Sequence, residues 1–365
     1  MASFGIQSNQ NDEMSHMLED SAIRIFSDVF TRSLVQDTEN GVWKSQIWST
    51  IEDAGLTLAA TSEVRGGPGA GSSAIYTLLK VAGGFPVLAP LSETFLAELI
   101  LAKANLPPLT GPLTIGPVLR DESLKLIKEN HIWQLEGVLH QIPWVKHSKS
   151  MIVIADYEGR PVTIVVQNPR IIDSNKNYAG EPRHTIDFLN TELLESSIGF
   201  QNSMTTEELF FHGALMRAVS LAGALEKILT LTIDYAKNRV QFGKPIAKFQ
   251  AIQQQCSVLA GEVAASSAAV QAAIDSLELG NANFEIAAAK TRVGEAAEIV
   301  TAIAHQVHGA IGFTNEYTLQ LFTRRAWSWR DEFGNEGEWA TWIGKKVSQI
   351  HGEDLWKFLT SPSND

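Results

Sequence analysis

Arg239, Phe242 and Gln250 stand around a turn that Gly243 and Pro245 impose, and Gln306, Gly309 and Gly312 stand in a second glycine-rich segment. An arginine beside a tight turn forks onto a phosphate pair, an aromatic offers its face to a ring, and a glutamine one helix later reads a polar edge. Glycines let backbone N–H groups approach an anionic ligand closely. The two segments together suit a ligand with a pyrophosphate and a ring. Taken singly, each is also what an ordinary helix connection looks like, since glycine permits the turn and proline cannot continue a helix.

These residues need helices to carry them, and the hydrophobic period supplies the helices. From Glu19 to about Leu106 apolar residues recur at helical spacing: Ile23, Phe26, Val29 and Phe30, then Trp43, Ile47, Trp48 and Ile51, then Leu78, Leu79 and Ala82, then Phe95, Leu96, Leu99 and Ile100. A loop of glycines, Gly66 to Gly71, interrupts them before a helix starting near Ser72 or Ser73, whose hydroxyls suit a cap. The loop lacks the Gly-Lys-Ser/Thr ending of a nucleotide P-loop. Between Pro107 and Gly199 the pattern changes to strand-like runs, including those at His131, Met151 and Pro161, separated by turns such as Glu158-Gly159 and Asn168-Pro169. From Thr205 long helices return, with an alanine-rich stretch from Val258 to Ala273 suited to close helix approach. The expected division is 1–107 all-α, 108–202 β and 203–365 α-helical.

Composition bounds the function. The 365 residues, 44% of them apolar, suffice for a large core. A formal net charge of −12 argues against a nucleic-acid partner, whose phosphates demand a basic surface. A single cysteine, Cys256, excludes an internal disulfide framework and a cysteine-rich metal site, so a reducing cytoplasm is the expected location. Met1 to Glu19 is polar and acidic, without the basic-then-apolar pattern of an export signal. Stretches such as Leu96 to Leu106 are broken by charge, so no membrane span is expected. There is no internal repeat, and Ser361 to Asp365 is expected to fray.

In order and spacing both glycine segments resemble the signatures of the acyl-CoA dehydrogenase family: Arg239, Phe242 and Gln250 in the first, Gln306, Gly309 and Gly312 in the second, with Ala310 in place of a family glycine. Ser62 to Gly69 and Ala89 to Thr94 are similar to that family's early helical domain. The resemblance implies an α+β fold: an N-terminal helical domain, a middle β-barrel domain and a C-terminal four-helix bundle. It implies FAD as cofactor, its ADP end held by those six residues across a subunit interface in a homodimer or homotetramer. It implies an acyl-CoA substrate dehydrogenated between Cα and Cβ, with electrons passed to an electron-transferring flavoprotein.

The same resemblance poses the question of the base. An ungapped count from the second glycine segment puts Phe333 where the family base stands, and Glu332 one residue earlier. A one-residue shift of the loop makes Glu332 the base; Asp331 is the weaker candidate, and a loop carboxylate paired with Arg330 is the structural alternative. Family members that carry the base on the preceding helix have a carboxylate where this chain reads Phe211-His212-Gly213, leaving only His212. Arg217 lies one turn from a family arginine near the CoA phosphates and is the substrate-binding candidate. In the β domain Thr114-Ile115-Gly116-Pro117 stands for the strand end that meets the flavin, with Thr114 the cofactor contact, and Gln141 to Trp144 stands for the ring-lining signature. Both are altered, whereas the ADP half is intact. The resemblance therefore leaves three readings open: an autonomous dehydrogenase, an FAD-clamping subunit of a heterotetramer with a paralogue, and a flavin oxidase or monooxygenase of the same fold.

Other features have plain explanations. Trp327, Trp329, Trp339 and Trp342 suit core and interface packing. His305 and His308 share a helix face but have no third metal ligand at suitable spacing. Lys345-Lys346 reads as a solvated helix face, and Glu226 as an exposed residue pairing at most with Lys227 or Thr230.

Overall fold

The computed structural model describes residues 2–30, 35, 37, 42–59, 61–69, 72–86, 89–189 and 191–360, with side chains from His16 onward. Ala70 and Gly71 of the glycine loop, and the terminus expected to fray, lie outside the described residues. By internal contact the chain forms two units: residues 1–78 with 87–213, and residues 79–86 with 214–365.

The first unit contains helices α1 (Ala2–Val29), α2 (Ser45–Asp53), the start of α3 (Ser72–Gly83) and α4 (Leu91–Lys103). Helix α4 is buried on nearly every side, Leu91 to Glu98 without a break. Its polar side chains meet the chain on its way into the sheet. Glu98 accepts the Leu109 N–H at 3.0 Å, Thr94 Oγ1 accepts the Leu113 N–H at 3.1 Å, and Glu52 of α2 accepts the Gly111 N–H at 2.8 Å. Backbone amides between a helix and the first pairs of a strand need partners, and these side chains supply them. Burial pushes the Glu98 carboxyl up, opposed by the Leu109 amide and by Arg65, whose guanidinium lies 3.7 Å away.

All strands of the β region lie between Leu113 and Gly199. They are β1 (Leu113–Gly116), β2 (Lys125–Glu129), β3 (Ile132–Glu136), β4 (Val138–Pro143), β5 (Ser150–Tyr157), β6 (Arg160–Val166), β7 (Arg170–Lys176), β8 (Pro182–Asp187), β9 (Thr191–Leu193) and β10 (Ile198–Gly199). A curled seven-stranded sheet runs β10-β6-β5-β2-β3-β9, with β1 parallel to β5 in the register Thr114 to Met151, and a three-stranded sheet runs β4-β8-β7. Leu126, Leu135, Leu139, Ile142, Val153, Ile164, Ile186 and Phe188 form one buried cluster. The pairing of β4 with β8 shifts register between Leu139 and Ile142, and Gln141 inside that shift has φ 57°. An extra residue on one strand re-aims the backbone that follows it.

Helix α5 (Thr206–Asn238) runs on into the second unit, which also holds α6 (Gln250–Glu278), α7 (Asn283–His308), α8 (Leu319–Asp331), α9 (Glu336–Val347) and α10 (Gly352–Thr360). Gly223 of α5 meets the end of α3 so closely that a Cβ would stand 1.9 Å from the Lys80 carbonyl oxygen. Glu226, expected to pair at most with Lys227 or Thr230, has its partners farther away in the chain. It pairs with Lys80 at 2.9 Å and accepts the Ser267 hydroxyl at 2.6 Å, because a helix crossing brings distant side chains together. Helix α6 also corrects an expectation, for by length and composition it is apolar enough to cross a membrane. Alanines raise its hydropathy, while Leu259, Val263, Ser266 and Val270 are its buried face.

Candidate functional site

The turn after α5 is a small hairpin, β11 (Val240–Gln241) with β12 (Lys244–Pro245). Phe242 at φ 51° and Gly243 at φ 75° form its two-residue tip, the left-handed pair that such a tight hairpin requires. Phe249 caps α6, so Gln250 is its first residue. Arg239, Phe242 and Gln250 are all exposed, Phe242 to 91%. Lys244 lies over the Phe249 ring at 4.5 Å. An aromatic side chain held out at a hairpin tip has little reason to be there for the unit's own stability.

The second segment lies at the end of α7. Gln306 is exposed in its last turn, and Gly309 at φ 65° ends it with no atom within 4 Å of where a Cβ would stand. Gly312 is enclosed, its missing Cβ 3.1 Å from His308 Cβ and 3.2 Å from His305 Nδ1. The two histidines pack as aromatics: His305 stacks on Phe313 with centroids 4.1 Å apart, and His308 on Tyr235 at 4.4 Å. Burial holds both imidazoles below their usual range. His308 Nδ1 bonds the Ala304 carbonyl at 2.7 Å and His305 Nε2 meets Thr323 at 3.0 Å. The His308–Tyr235 stack packs the end of α7 against the end of α5.

The α8–α9 turn carries the candidate base. Glu332 Oε2 accepts from Arg217 Nε of α5 at 2.6 Å, the arginine side chain 6% and the glutamate 20% exposed. Phe333 at φ 55° and Gly334 at φ 88° turn the chain, Phe333 is buried, and its carbonyl accepts Trp339 Nε1 at 2.9 Å. Asn335 closes a capping box with Glu338 that starts α9. Arg330 grips Glu336 with two nitrogens and reaches Glu298 at 3.1 Å, which holds the Glu336 carboxyl low. Burial pushes the Asp331 carboxyl up. Beneath them Lys290 of α7 is fully buried and donates to the carbonyls of Trp329 at 3.2 Å and Arg330 at 2.6 Å. Burial lowers its amine to about 8, against the pull of Glu332, Asp331 and Glu336. Sequence reading placed Arg217 near phosphates and left Lys290 unremarked. A lysine in the middle of an alanine-rich helix was the one signal for it.

In the first unit Thr114 is wholly buried on the wall of a cleft of about 240 Å³ shared with Lys146, Ser148, Lys149 and Asn168. Its hydroxyl donates to the Pro143 carbonyl at 2.5 Å. Pro143 itself has no N–H, and Trp144 at φ 60° is buried beside Trp43, which stacks on His147 at 4.9 Å. His212, on the first-unit part of α5, is largely enclosed with its imidazole held low by burial.

An FAD can be tested against these residues. The ADP end fits the second unit: an exposed arginine, aromatic and two glutamines, and an open, left-handed Gly309 where a pyrophosphate could meet backbone N–H groups. The ring end fits the first unit poorly, since the Thr114 proton is committed to Pro143 and Pro143 offers none.

Residues 199–347 match the family model "Acyl-CoA dehydrogenase, C-terminal domain". The chain is 28% identical over 283 residues to acyl-CoA dehydrogenase IpdE2 of Mycolicibacterium smegmatis, covering 77% of this chain and 81% of that one. Among solved structures it is similar to the ChsE4-ChsE5 complex of Mycobacterium tuberculosis, with TM-score 0.83 and 19% identity, over 93% of this chain and 98% of that one. It is also similar to butyryl-CoA dehydrogenase of Megasphaera elsdenii, with TM-score 0.81 and 19% identity, over 92% and 98%. The chain is thus similar to the acyl-CoA dehydrogenases, matching that family's C-terminal domain over residues 199–347 and sharing its fold of helices, curled sheet and helices.

Proposed function

We propose that the protein takes part in FAD-dependent α,β-dehydrogenation of an acyl-CoA thioester to the 2-enoyl-CoA, with electrons passed on to an electron-transferring flavoprotein. The observation that carries this reading is Glu332, a part-buried carboxylate on the α8–α9 turn of an acyl-CoA dehydrogenase C-terminal domain. Arg239, Phe242, Gln250, Gln306, Gly309 and Gly312 would hold the ADP end of FAD from one subunit of a homodimer or homotetramer. The bound flavin supplies a hydride acceptor for Cβ. Glu332 accepts the Cα proton, and for that its carboxylate must part from Arg217, because an oxygen held at 2.6 Å by a guanidinium is engaged. A site closed to water strengthens the carboxylate as a base. Arg217, once parted from Glu332, is a cation able to meet an anionic part of the substrate.

A second reading is favoured by two observations: the Arg217–Glu332 pair itself, and the commitment of Thr114 to Pro143. In it the chain clamps the ADP end of FAD for a paralogous subunit that supplies the ring site and the base. The likeness to ChsE4-ChsE5, a complex of two differently named proteins, supports this reading.

The test is an absorbance spectrum of the purified protein followed by anaerobic titration with a panel of acyl-CoA thioesters. A flavin band that bleaches with one of them, and no longer bleaches in Glu332→Gln, supports the first reading. A protein that stays colourless with added FAD sinks it and directs the search to a second chain.

A further inference from the structure

Helix α8 ends in an unusual way. A helix leaves its last carbonyls without intrahelical partners, and a left-handed residue just past the end ordinarily folds amides back onto them. Here the residue at the end, Glu332, is extended, with φ −70° and ψ 137°, and the left-handed residues Phe333 and Gly334 follow it. The left-handed residue stands in its usual place after the cap, but the cap residue itself has left the helical range. Two of the end carbonyls, those of Trp329 and Arg330, are met instead from below by the Lys290 ammonium.

We infer that Lys290 is a positioning residue for the α8–α9 turn: by taking over the helix cap it lets Glu332 leave the helix extended, which is what carries the carboxylate to Arg217. The inference deepens the reading of Glu332 as base and rests on it for its catalytic consequence. A fully buried amine is costly, so a lysine at this position needs a return that an apolar residue could not give. Among the charged groups around it, Asp331 and Glu332 on the turn and Glu336 on α9 favour its ammonium form, and Arg217 on α5 opposes it. Arg330 is directed elsewhere, to Glu336 and Glu298, and Glu262 on α6 pairs with Arg292 of α7. A cation at the C-terminal end of α8 also complements its dipole.

The experiment is hydrogen exchange on the full-length protein and its Lys290→Met variant, resolved over residues 327–335 and over α6. The expected result is exchange about tenfold faster at residues 329–334 and unchanged in α6, since a lost cap opens an end and not a bundle. With a substrate in hand, kcat falls while KM holds. Unchanged protection at the turn overturns the inference, as does a rise spread evenly over the unit. Should Lys290→Met fail to fold, the wild-type protein at pH 7 and pH 9.5, corrected for intrinsic exchange, takes its place: loosening confined to the turn is expected, and equal protection overturns it. A turn that loosens while Glu332→Gln keeps full turnover leaves Lys290 as the cap and removes Glu332 as the base. A turn that stays tight while Glu332→Gln is inactive does the reverse.

Discussion

The two functional regions of the second unit are built on opposite terms. At the hairpin tip and the end of α7, Phe242 and Phe313 stand out to 91% and 69% and Gly309 faces open space. At the α8–α9 turn, Glu332, Phe333, Arg330 and Asn335 all have partners within the unit, and Lys290 closes the floor. The first surface leaves its two aromatic residues and Gly309 open to solvent. The second is finished, and must be opened before it can do proton chemistry. The contrast bears on the proposal: the residues proposed to hold the cofactor, Gly312 aside, are already exposed, whereas the proposed base is engaged with Arg217.

The sharpest way to break the contrast is Glu332→Gln. If the restraint is released on substrate binding, kcat drops by about a thousandfold with binding retained, read by stopped-flow bleaching of the flavin. An unchanged rate in a reconstituted complex moves the chemistry to another chain. The next largest effect falls on Trp339, fully buried with its indole N–H on the Phe333 carbonyl. Trp339→Ala is expected to cost about 3–5 kcal/mol in urea unfolding, and Trp339→Phe about 1–2 kcal/mol from the orphaned carbonyl. At the open surface the order reverses. Phe242→Ala should leave unfolding within about 0.5 kcal/mol of the parent and yet lower FAD retention after gel filtration; a loss of stability with retention intact would remove Phe242 from the cofactor site.

The smallest effect is a pH dependence centred on His305 and His308. Burial depresses both imidazoles, so the folded state favours their neutral forms. The unfolded chain binds protons first as pH falls, and stability present above the unfolded value near 6.5 is lost on acidification through the folded values. The thermal midpoint should decline below pH 6.5, and less so in His308→Phe, which keeps a ring against Tyr235. An equal decline in that variant assigns the acid sensitivity elsewhere.

Much of this could be read along the chain. Helical period marked the early and late helices, alternation marked the strands, and Gly243 with Pro245 marked a turn whose hairpin form only the left-handed Phe242 reveals. The segment from Asp331 to Gly334 reads as a loop, and it is the end of α8 and its turn into α9. What sequence could not carry were pairs made by helix crossings: Arg217 with Glu332, Lys80 with Glu226, Lys290 with the carbonyls of α8. Periodicity tells which face is apolar, but a buried charge is placed by its partner, and the partner is a hundred residues away in the first case. The altered ring-lining segment was visible as substitution alone. That Thr114 donates to the Pro143 carbonyl is a pairing across 29 residues that periodicity does not carry.

Residues 79–86 belong by contact with the C-terminal helices, where Lys80 and Gly83 lie against Ser220, Gly223 and Glu226. The domain recognisable at 199–347 is therefore not a portable module. Excised at its boundary it would leave α5 with a bare glycine groove and Glu226 without its Lys80 partner. During synthesis, too, the early segment must wait for more than a hundred residues to emerge before its partner helix exists, so this contact closes late and the N-terminal half spends that interval incomplete.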